Sequence, residues 1–162
     1  MHLYFANALF SRADYDFNAR LVHRLRAAIP TLDIYLPQEN AAINDKHAYA
    51  DSTMIAQADT AEVLRSDLMI AILDGPVIDA GVASEIGVAY AKHIPVFGLY
   101  TDSRQQGATN PQKLTALQTV AENQFHYLNL YTTGLIKLNG AIYTTEEALI
   151  QAVQNRVAQA KQ

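Results

Sequence analysis

The unbroken apolar run Leu68 to Leu73, LMIAIL, begins after Asp67 and stops at Asp74-Gly75-Pro76. A run of that length with no polar face must be covered on both sides, which predicts a central strand of a parallel sheet. Just beyond it, Gly81, Ala83, Gly87, Ala89 and Ala91 interleave with Ile86, Val88 and Tyr90. Small residues at that density predict a helix over 81–92 packed closely on the sheet. The connection carries Asp74 and Asp79, and Glu85 is expected near the first turn of the helix. In open α/β sheets, ligands bind at such strand-to-helix crevices. Free N–H groups and the positive end of the helix dipole favour an ionised carboxylate there. An ionised, fixed carboxylate can act as a nucleophile, and Gly81 and Gly87 leave room for a ligand to approach the backbone.

The rest of the chain supplies the neighbours this strand needs. His2 to Ala6 reads as a first strand and Asp14 to Ala28 as a helix, with Phe17, Leu21 and Leu25 on one face. Ile29-Pro30 stops that helix. Leu32 to Leu36 is a short second strand closed by Pro37, and the polar segment Gln38 to Lys46 has the composition of a loop that can serve as a lid. A helix over 52–65 leads into the central strand, Pro95 to Tyr100 gives a fourth strand, and Thr101 to Pro111 is loop. Lys113 to Ala121 suits a short helix and Phe125 to Leu130 a fifth strand. Asn139-Gly140 marks a turn, and Thr144-x-x-Glu147 reads as a capping box opening a last helix. Strands and helices alternate throughout, which predicts an α/β fold of three layers, α/β/α, around a flavodoxin-like, five-stranded, mainly parallel sheet. With no repeat, linker or low-complexity segment, residues 1–162 are expected to form a single domain.

Composition narrows the function. The chain has 162 residues, no cysteine and a net charge of −4. There is therefore no disulfide framework, thiolate nucleophile or cysteine zinc site, and no basic cluster for a nucleic-acid backbone. No apolar run reaches membrane-spanning length, and MHLYFANALF lacks the basic and apolar regions of a secretory signal, so a cytoplasmic location with no membrane partner is expected. G-x-G-x-x-G after the first strand, the P-loop, G-x-S-x-G and paired metal-binding histidines are all absent, so neither a cofactor nor a metal is expected. What remains is a carboxylate set, Asp59, Asp79 and Glu85, with tyrosines and amides such as Asn129. That combination suits glycosyl chemistry. On ordinary preferences alone, Asp59 reads equally as a solvated helix residue, Tyr4 and Phe10 as core, and Asn129 as a turn residue at a strand end.

In order along the chain, Tyr4-Phe5-Ala6, Leu9-Phe10-Ser11, Leu36-Pro37-Gln38-Glu39, Ala58-Asp59, Asp74-Gly75, Asp79-Ala80-Gly81, Glu85-Ile86-Gly87, Ala89-Tyr90-Ala91, Thr101-Asp102-Ser103-Arg104 and Asn129 with Gly134 form a set that resembles the nucleoside 2-deoxyribosyltransferases. The most specific part is D-x-G-x-x-x-E-x-G after a buried strand, with an acid about twenty residues earlier. Such enzymes exchange the base of a 2′-deoxynucleoside for another. The resemblance implies that Glu85 is the nucleophile, Asp59 the general acid and base, and Tyr4 the residue that orients Glu85. It implies that Asp79 binds the 5′-hydroxyl beside Gly81, that Phe10 lies against the base, and that Asn129 is supplied by a neighbouring subunit of a hexamer built as a trimer of dimers. The implied partners are 2′-deoxynucleosides and free nucleobases. Asn7-Ala8 departs from the family, many of whose members have Gly-Pro there, and a helix continues to Gln162 where some members end in a tyrosine. Both departures bear on how the base pocket is finished.

Two other functions fit the same fold. Related hydrolases cleave 2′-deoxynucleoside 5′-monophosphates, but they tend to have serine, a phosphate donor, where this chain has Asp79. A non-catalytic nucleoside-binding module needs no nucleophile at all.

Overall fold

The computed structural model describes residues 1–44, 47, 49–123 and 127–160. Among these, five strands form one sheet: β1 (His2–Ala6), β2 (Asp33–Tyr35), β3 (Leu68–Ile72), β4 (Val96–Leu99) and β5 (Gly140–Tyr143). Their order is β2-β1-β3-β4-β5 and all four pairings are parallel, the flavodoxin-like arrangement. The helices are α1 (Arg12–Ala28), α2 (Ala41–Asn44), α3 (Ser52–Arg65), α4 (Ala80–Ala91), α5 (Pro111–Ala116), α6 (Leu130–Leu138) and α7 (Glu146–Gln159). Short 3-10 turns at Pro37–Glu39 and Ser103–Gln106 interrupt two of the loops. No helix among the described residues is long and apolar enough to cross a membrane.

Every residue of β3 is buried, because the sheet is covered on both faces. Leu3, Phe5 and Ile70 face one core with Leu21, Leu25, Leu149 and Val153 from α1 and α7. Tyr4, Met69 and Ala71 face the other with Val63, Val82, Ile86 and Ile136 from α3, α4 and α6. Successive strand residues alternate between these two cores, so a strand apolar at every position is what three layers require. Ser11 opens α1 with a capping box, its hydroxyl accepting from the Asp14 N–H at 3.1 Å while the Asp14 carboxylate accepts from the Ser11 N–H at 2.8 Å. Arg20, off the apolar face of α1, pairs with Glu146 at 2.7 Å and ties α1 to α7.

The C-terminal third departs from the sequence expectation. Phe125 to Leu130 is not the fifth strand: 125 and 126 lie outside the described residues, 127–129 carry no strand, and Leu130 opens α6. Asn129 caps that helix by accepting from the Thr132 N–H at 3.1 Å, and Thr132, Thr133, Leu135 and Ile136 are buried on it. The fifth strand is Gly140–Tyr143, where a turn is expected from Asn139-Gly140. Glycine is required there sterically, since a Cβ on Gly140 would lie 1.9 Å from the Val96 carbonyl oxygen. The last helix is capped by Thr145, which accepts from the Ala148 N–H at 3.2 Å, and not by Thr144. Glu147 leaves the expected box to pair with Arg24. The helix expected over 113–121 is shorter and earlier, because Asn110 caps it and Pro111 starts it.

Candidate active site

β1 and β3 are neighbours, with β2 on one side and β4 and β5 on the other, so the chain reverses direction across the sheet between them. Open α/β sheets leave a crevice at the carboxyl ends of such strands. Here that crevice is a cavity of about 280 Å³. α3 and α4 supply Ile55, Asp59, Gly81, Val82 and Glu85, and Asp79 comes from the residue capping α4. Ala6, Asn7, Leu9 and Phe10 follow from β1, and Pro37, Ile43 and Asn44 from the segment after β2.

Glu85 lies in the second turn of α4, not the first. It follows Val82 by three residues and precedes Ala89 by four, so it shares the buried face on which α4 meets the sheet. Its electrostatics therefore reverse the sequence expectation. Its pKa is raised from the ordinary 4.5 to about 7, with burial the largest cause; the hydrogen bond from Tyr4 opposes it, and the charges of Asp59 and Asp79 add to the rise. The Tyr4 hydroxyl donates to Glu85 Oε1 at 2.6 Å. Tyr4 is fully buried in the middle of β1, and burial followed by the Glu85 charge pushes its phenol well above the usual range, so it remains a donor. Tyr35 stacks on Tyr4 at 5.6 Å and accepts from Asn40 Nδ2 at 2.8 Å, which holds the tyrosine ring from behind.

Asp59 is half-buried on α3, and its Oδ1 is inaccessible to solvent with no hydrogen-bond partner among the described residues. A solvated helix carboxylate does not look like that. Burial first, and the Glu62 charge second, hold its pKa above the ordinary range. Asp59, Gly81 and Glu85 also line a second cavity of about 380 Å³ between α3 and α4, so the carboxyl pair borders both spaces.

Asp79 caps α4, its Oδ1 accepting from the N–H groups of Gly81 at 2.9 Å and Val82 at 3.1 Å. Gly81 is glycine for room, since a Cβ there would meet that oxygen at 3.0 Å. Asp74 does not join the group. Its carboxylate accepts from the Thr101 N–H and hydroxyl, both at 2.7 Å, and from the Asp102 N–H at 3.0 Å, tying together the loops after β3 and β4. Phe10 lines the cavity while remaining 82% exposed. Asn129 is not brought to the cavity: its side chain caps α6. The structure thus gathers Tyr4, Asp59, Asp79, Gly81, Glu85 and Phe10. It adds Asn7, in the loop after β1, and Asn44, the last residue of the short helix α2, with no periodicity to mark either. Among the described residues, no group of three or more His, Asp or Glu side chains is arranged to hold a metal ion.

The family model for nucleoside 2-deoxyribosyltransferase matches residues 3–130. A solved structure of a conserved protein from Enterococcus faecalis V583 is 68% identical over 96% of this chain and 98% of its own, with a TM-score of 0.90. A 2-deoxyribosyltransferase from Leishmania mexicana shares the fold at 18% identity, with 93% and 95% coverage and a TM-score of 0.63. So does a CMP N-glycosidase from Clostridium botulinum, at 16% identity, 96% and 99% coverage and a TM-score of 0.52. No curated protein matches the chain. Because the family model spans most of the sequence, including every carboxylate of the cavity, the chain belongs to the nucleoside 2-deoxyribosyltransferase family.

Proposed function

We propose that the protein transfers the 2-deoxyribosyl group between nucleobases of 2′-deoxynucleosides by a retaining double displacement through a covalent glycosyl ester on Glu85. The observation that carries this reading is the Tyr4 hydroxyl donating to Glu85 Oε1 at 2.6 Å, beside an Asp59 whose inaccessible oxygen has no partner among the described residues. The Tyr4 bond fixes one oxygen of the glutamate and favours its ionised form, which a nucleophile needs. The raised pKa of Asp59 suits a group that must carry a proton before it gives one away.

In the first displacement, Glu85 attacks C1′ of the sugar as the C1′–N bond breaks and the Asp59 proton passes to the departing base. In the second, Asp59 takes the proton from an incoming base, whose nitrogen attacks C1′ and releases the Glu85 carboxylate. The parallel is a retaining glycosidase with a base in place of water. Asp79 holds the sugar 5′-hydroxyl beside Gly81, and Phe10 covers the base. The same reading assembles the chain into a homo-oligomer in which Asn129 of a neighbouring copy completes the site. The support is the cluster of exposed apolar side chains around it: Tyr127, Leu130 and Tyr131 are 68%, 85% and 76% exposed.

The test is to incubate the protein with deoxycytidine and adenine, and separately with deoxycytidine alone, following products by chromatography. Deoxyadenosine in the first and little cytosine release in the second is the expected result. Release at equal rates in both would make the protein a hydrolase. A 2-fluoro deoxynucleoside should leave a sugar adduct on Glu85 visible by mass spectrometry, and an adduct elsewhere would remove Glu85 from its role.

A further inference from the structure

Tyr4 is flanked in the sheet by two side chains of the same core. Its register partner on β3 is Met69, and on β2 it is Tyr35. Met69 is fully buried in a strand paired on both sides, so that flank is well held. Tyr35 is different. It is the last residue of a three-residue strand at the sheet edge and only partly buried, and its ring lies 5.6 Å from that of Tyr4 with 21° between the planes. A strand of that length, paired on one side alone, gives such a ring little to hold it.

What holds it is Asn40. The Ala42 N–H donates to the Asn40 side chain at 3.0 Å, and a backbone N–H can only donate, so the atom it meets is Oδ1 and the other end of the amide is Nδ2. Nδ2 donates to the Tyr35 hydroxyl oxygen at 2.8 Å. The same residue supports the cavity wall. Its carbonyl accepts from the N–H groups of Ile43 at 3.3 Å and Asn44 at 3.1 Å, and both of those residues line the cavity. Tyr35 and Asn40 themselves do not line it and border instead a separate groove with Glu62 and Arg65 of α3.

The ionisable groups around Glu85 are Tyr4 from β1, Asp59 from α3 and Asp79 at the start of α4, and those around Tyr35 are Asp59, Glu62 and Arg65, all from α3. Burial, the largest cause, raises the Tyr35 phenol above its ordinary range, so Tyr35 adds no charge to this set. Its effect on the glutamate is therefore one of position. Hydrogen bonds weaken steeply as their angle departs from the optimum, so the bond from Tyr4 to Glu85 is only as good as the placement of the Tyr4 ring.

We propose that Tyr35 and Asn40 are positioning residues for the nucleophile: Asn40, which joins α2 on the cavity wall to Tyr35, holds the aromatic stack that keeps the Tyr4 hydroxyl on Glu85. The inference rests on the deoxyribosyl-transfer reading and extends the pair of Tyr4 and Glu85 to two residues that lie outside the cavity.

The experiment follows the ¹³C titration of the Glu85 carboxyl and the pH profile of transfer from deoxycytidine to adenine in the wild type, Tyr35→Leu, Tyr35→Phe and Asn40→Ser, and repeats all three substitutions in Tyr4→Phe. Serine keeps an oxygen to cap α2 and is too short to reach Tyr35. Tyr35→Leu should raise the Glu85 pKa and lower kcat/KM at neutral pH by about two- to tenfold, the worth of an aromatic pair. Tyr35→Phe and Asn40→Ser delete the same hydrogen bond and leave the strand filled, so they should give smaller and equal changes in the same direction, and they carry the test where leucine impairs folding. In Tyr4→Phe the connection to Glu85 is already cut, and none of the three should raise the pKa further. A residue that only supports the fold would lower the melting temperature and the rate without moving the Glu85 titration. A titration unmoved in all three variants, or a rise as large in Tyr4→Phe as in the wild type, overturns the inference and leaves the transfer reading standing. Absence of transfer by the wild type removes that reading and the inference together.

Discussion

Tyr4 and Glu85 stand 81 positions apart in the chain, and the tyrosine hydroxyl reaches the glutamate Oε1 at 2.6 Å. The bond is the interaction that lowers the glutamate pKa against burial and two neighbouring carboxylates. Removing it in Tyr4→Phe must therefore raise the pKa. On the proposed mechanism the reactive state has Glu85 ionised and the proton on Asp59, so kcat/KM should follow a bell. The limb governed by Glu85, near pH 7 in the wild type, should move to higher pH in Tyr4→Phe. Activity at neutral pH should fall about 10- to 100-fold, the worth of a hydrogen bond to a charged group at roughly 1.5–3 kcal/mol. A ¹³C titration of the Glu85 carboxyl in both proteins checks the shift directly, and an unmoved or lowered pKa would contradict the role given to Tyr4.

The same burial has a cost in stability, with a definite sign. The folded protein holds the Glu85 proton up to about pH 7, whereas its ordinary value is 4.5. Stability from this group is thus fully present below 4.5 and is lost as pH rises from 4.5 to about 7. At about 1.4 kcal/mol per pH unit the loss is on the order of 3 kcal/mol. Glu85→Gln keeps an acceptor for Tyr4 and has no charge to bury. Denaturant unfolding should find the variant more stable than wild type above pH 7, with the gap closing toward pH 4.5. A gap that is constant with pH would mean that Glu85 is not desolvated.

Asp59→Asn removes the proton donor of the proposed mechanism while keeping the shape of the side chain. General acid help matters most when the leaving base is least acidic, so rates across a series of bases should fall most for the poorest leaving groups. The loss should reach about a hundred- to ten-thousand-fold for those. A uniform loss across the series would assign Asp59 to binding or structure.

The sequence discloses β3 and α4 because a strand buried on both faces has nowhere to put a polar residue, and a helix packed close on a sheet needs small residues such as Ala83 and Ala89. It conceals β5 because Gly140–Tyr143 is four residues long, opens with glycine and follows Asn139, all signs of a turn. Only the approach of Val96 to Gly140 explains the glycine. Asp79 and Glu85 are legible from the strand-to-helix connection. The charge state of Glu85 is not, because one further turn along α4 carries it from the dipole at the helix start into the layer against Tyr4. Asp59 beside them is a product of α3 packing on α4, and no local pattern encodes it. The amide relay from Tyr15 through Gln38 and Asn18 to Asn7 joins three separate loops and helices, so it is equally invisible in the sequence.

On the proposed mechanism, Asp79 is expected to separate nucleosides from nucleotides. Its Oδ1 accepts from the N–H groups of Gly81 and Val82, which fixes the carboxylate at the cavity wall. A neutral 5′-hydroxyl can donate to the remaining oxygen, a charge-assisted bond worth roughly 1.5–3 kcal/mol. A 5′-phosphate finds like charge instead, and no Lys, Arg or His is among the described residues lining the cavity. At about 5 Å and an effective dielectric of about 20, each pair of unit charges repels by around 3 kcal/mol, or about two orders of magnitude in binding. The wild type should use deoxynucleosides, refuse their 5′-monophosphates and process 5′-deoxy analogues more slowly. Serine is as good a helix cap as aspartate, so Asp79→Ser should keep α4 intact while removing the charge. That variant should lose nucleoside turnover and admit monophosphates, narrowing the ratio of the two kcat/KM values by about tenfold or more. If the wild type cleaves monophosphates faster than nucleosides, the charge argument fails and the protein is a nucleotide N-glycosidase.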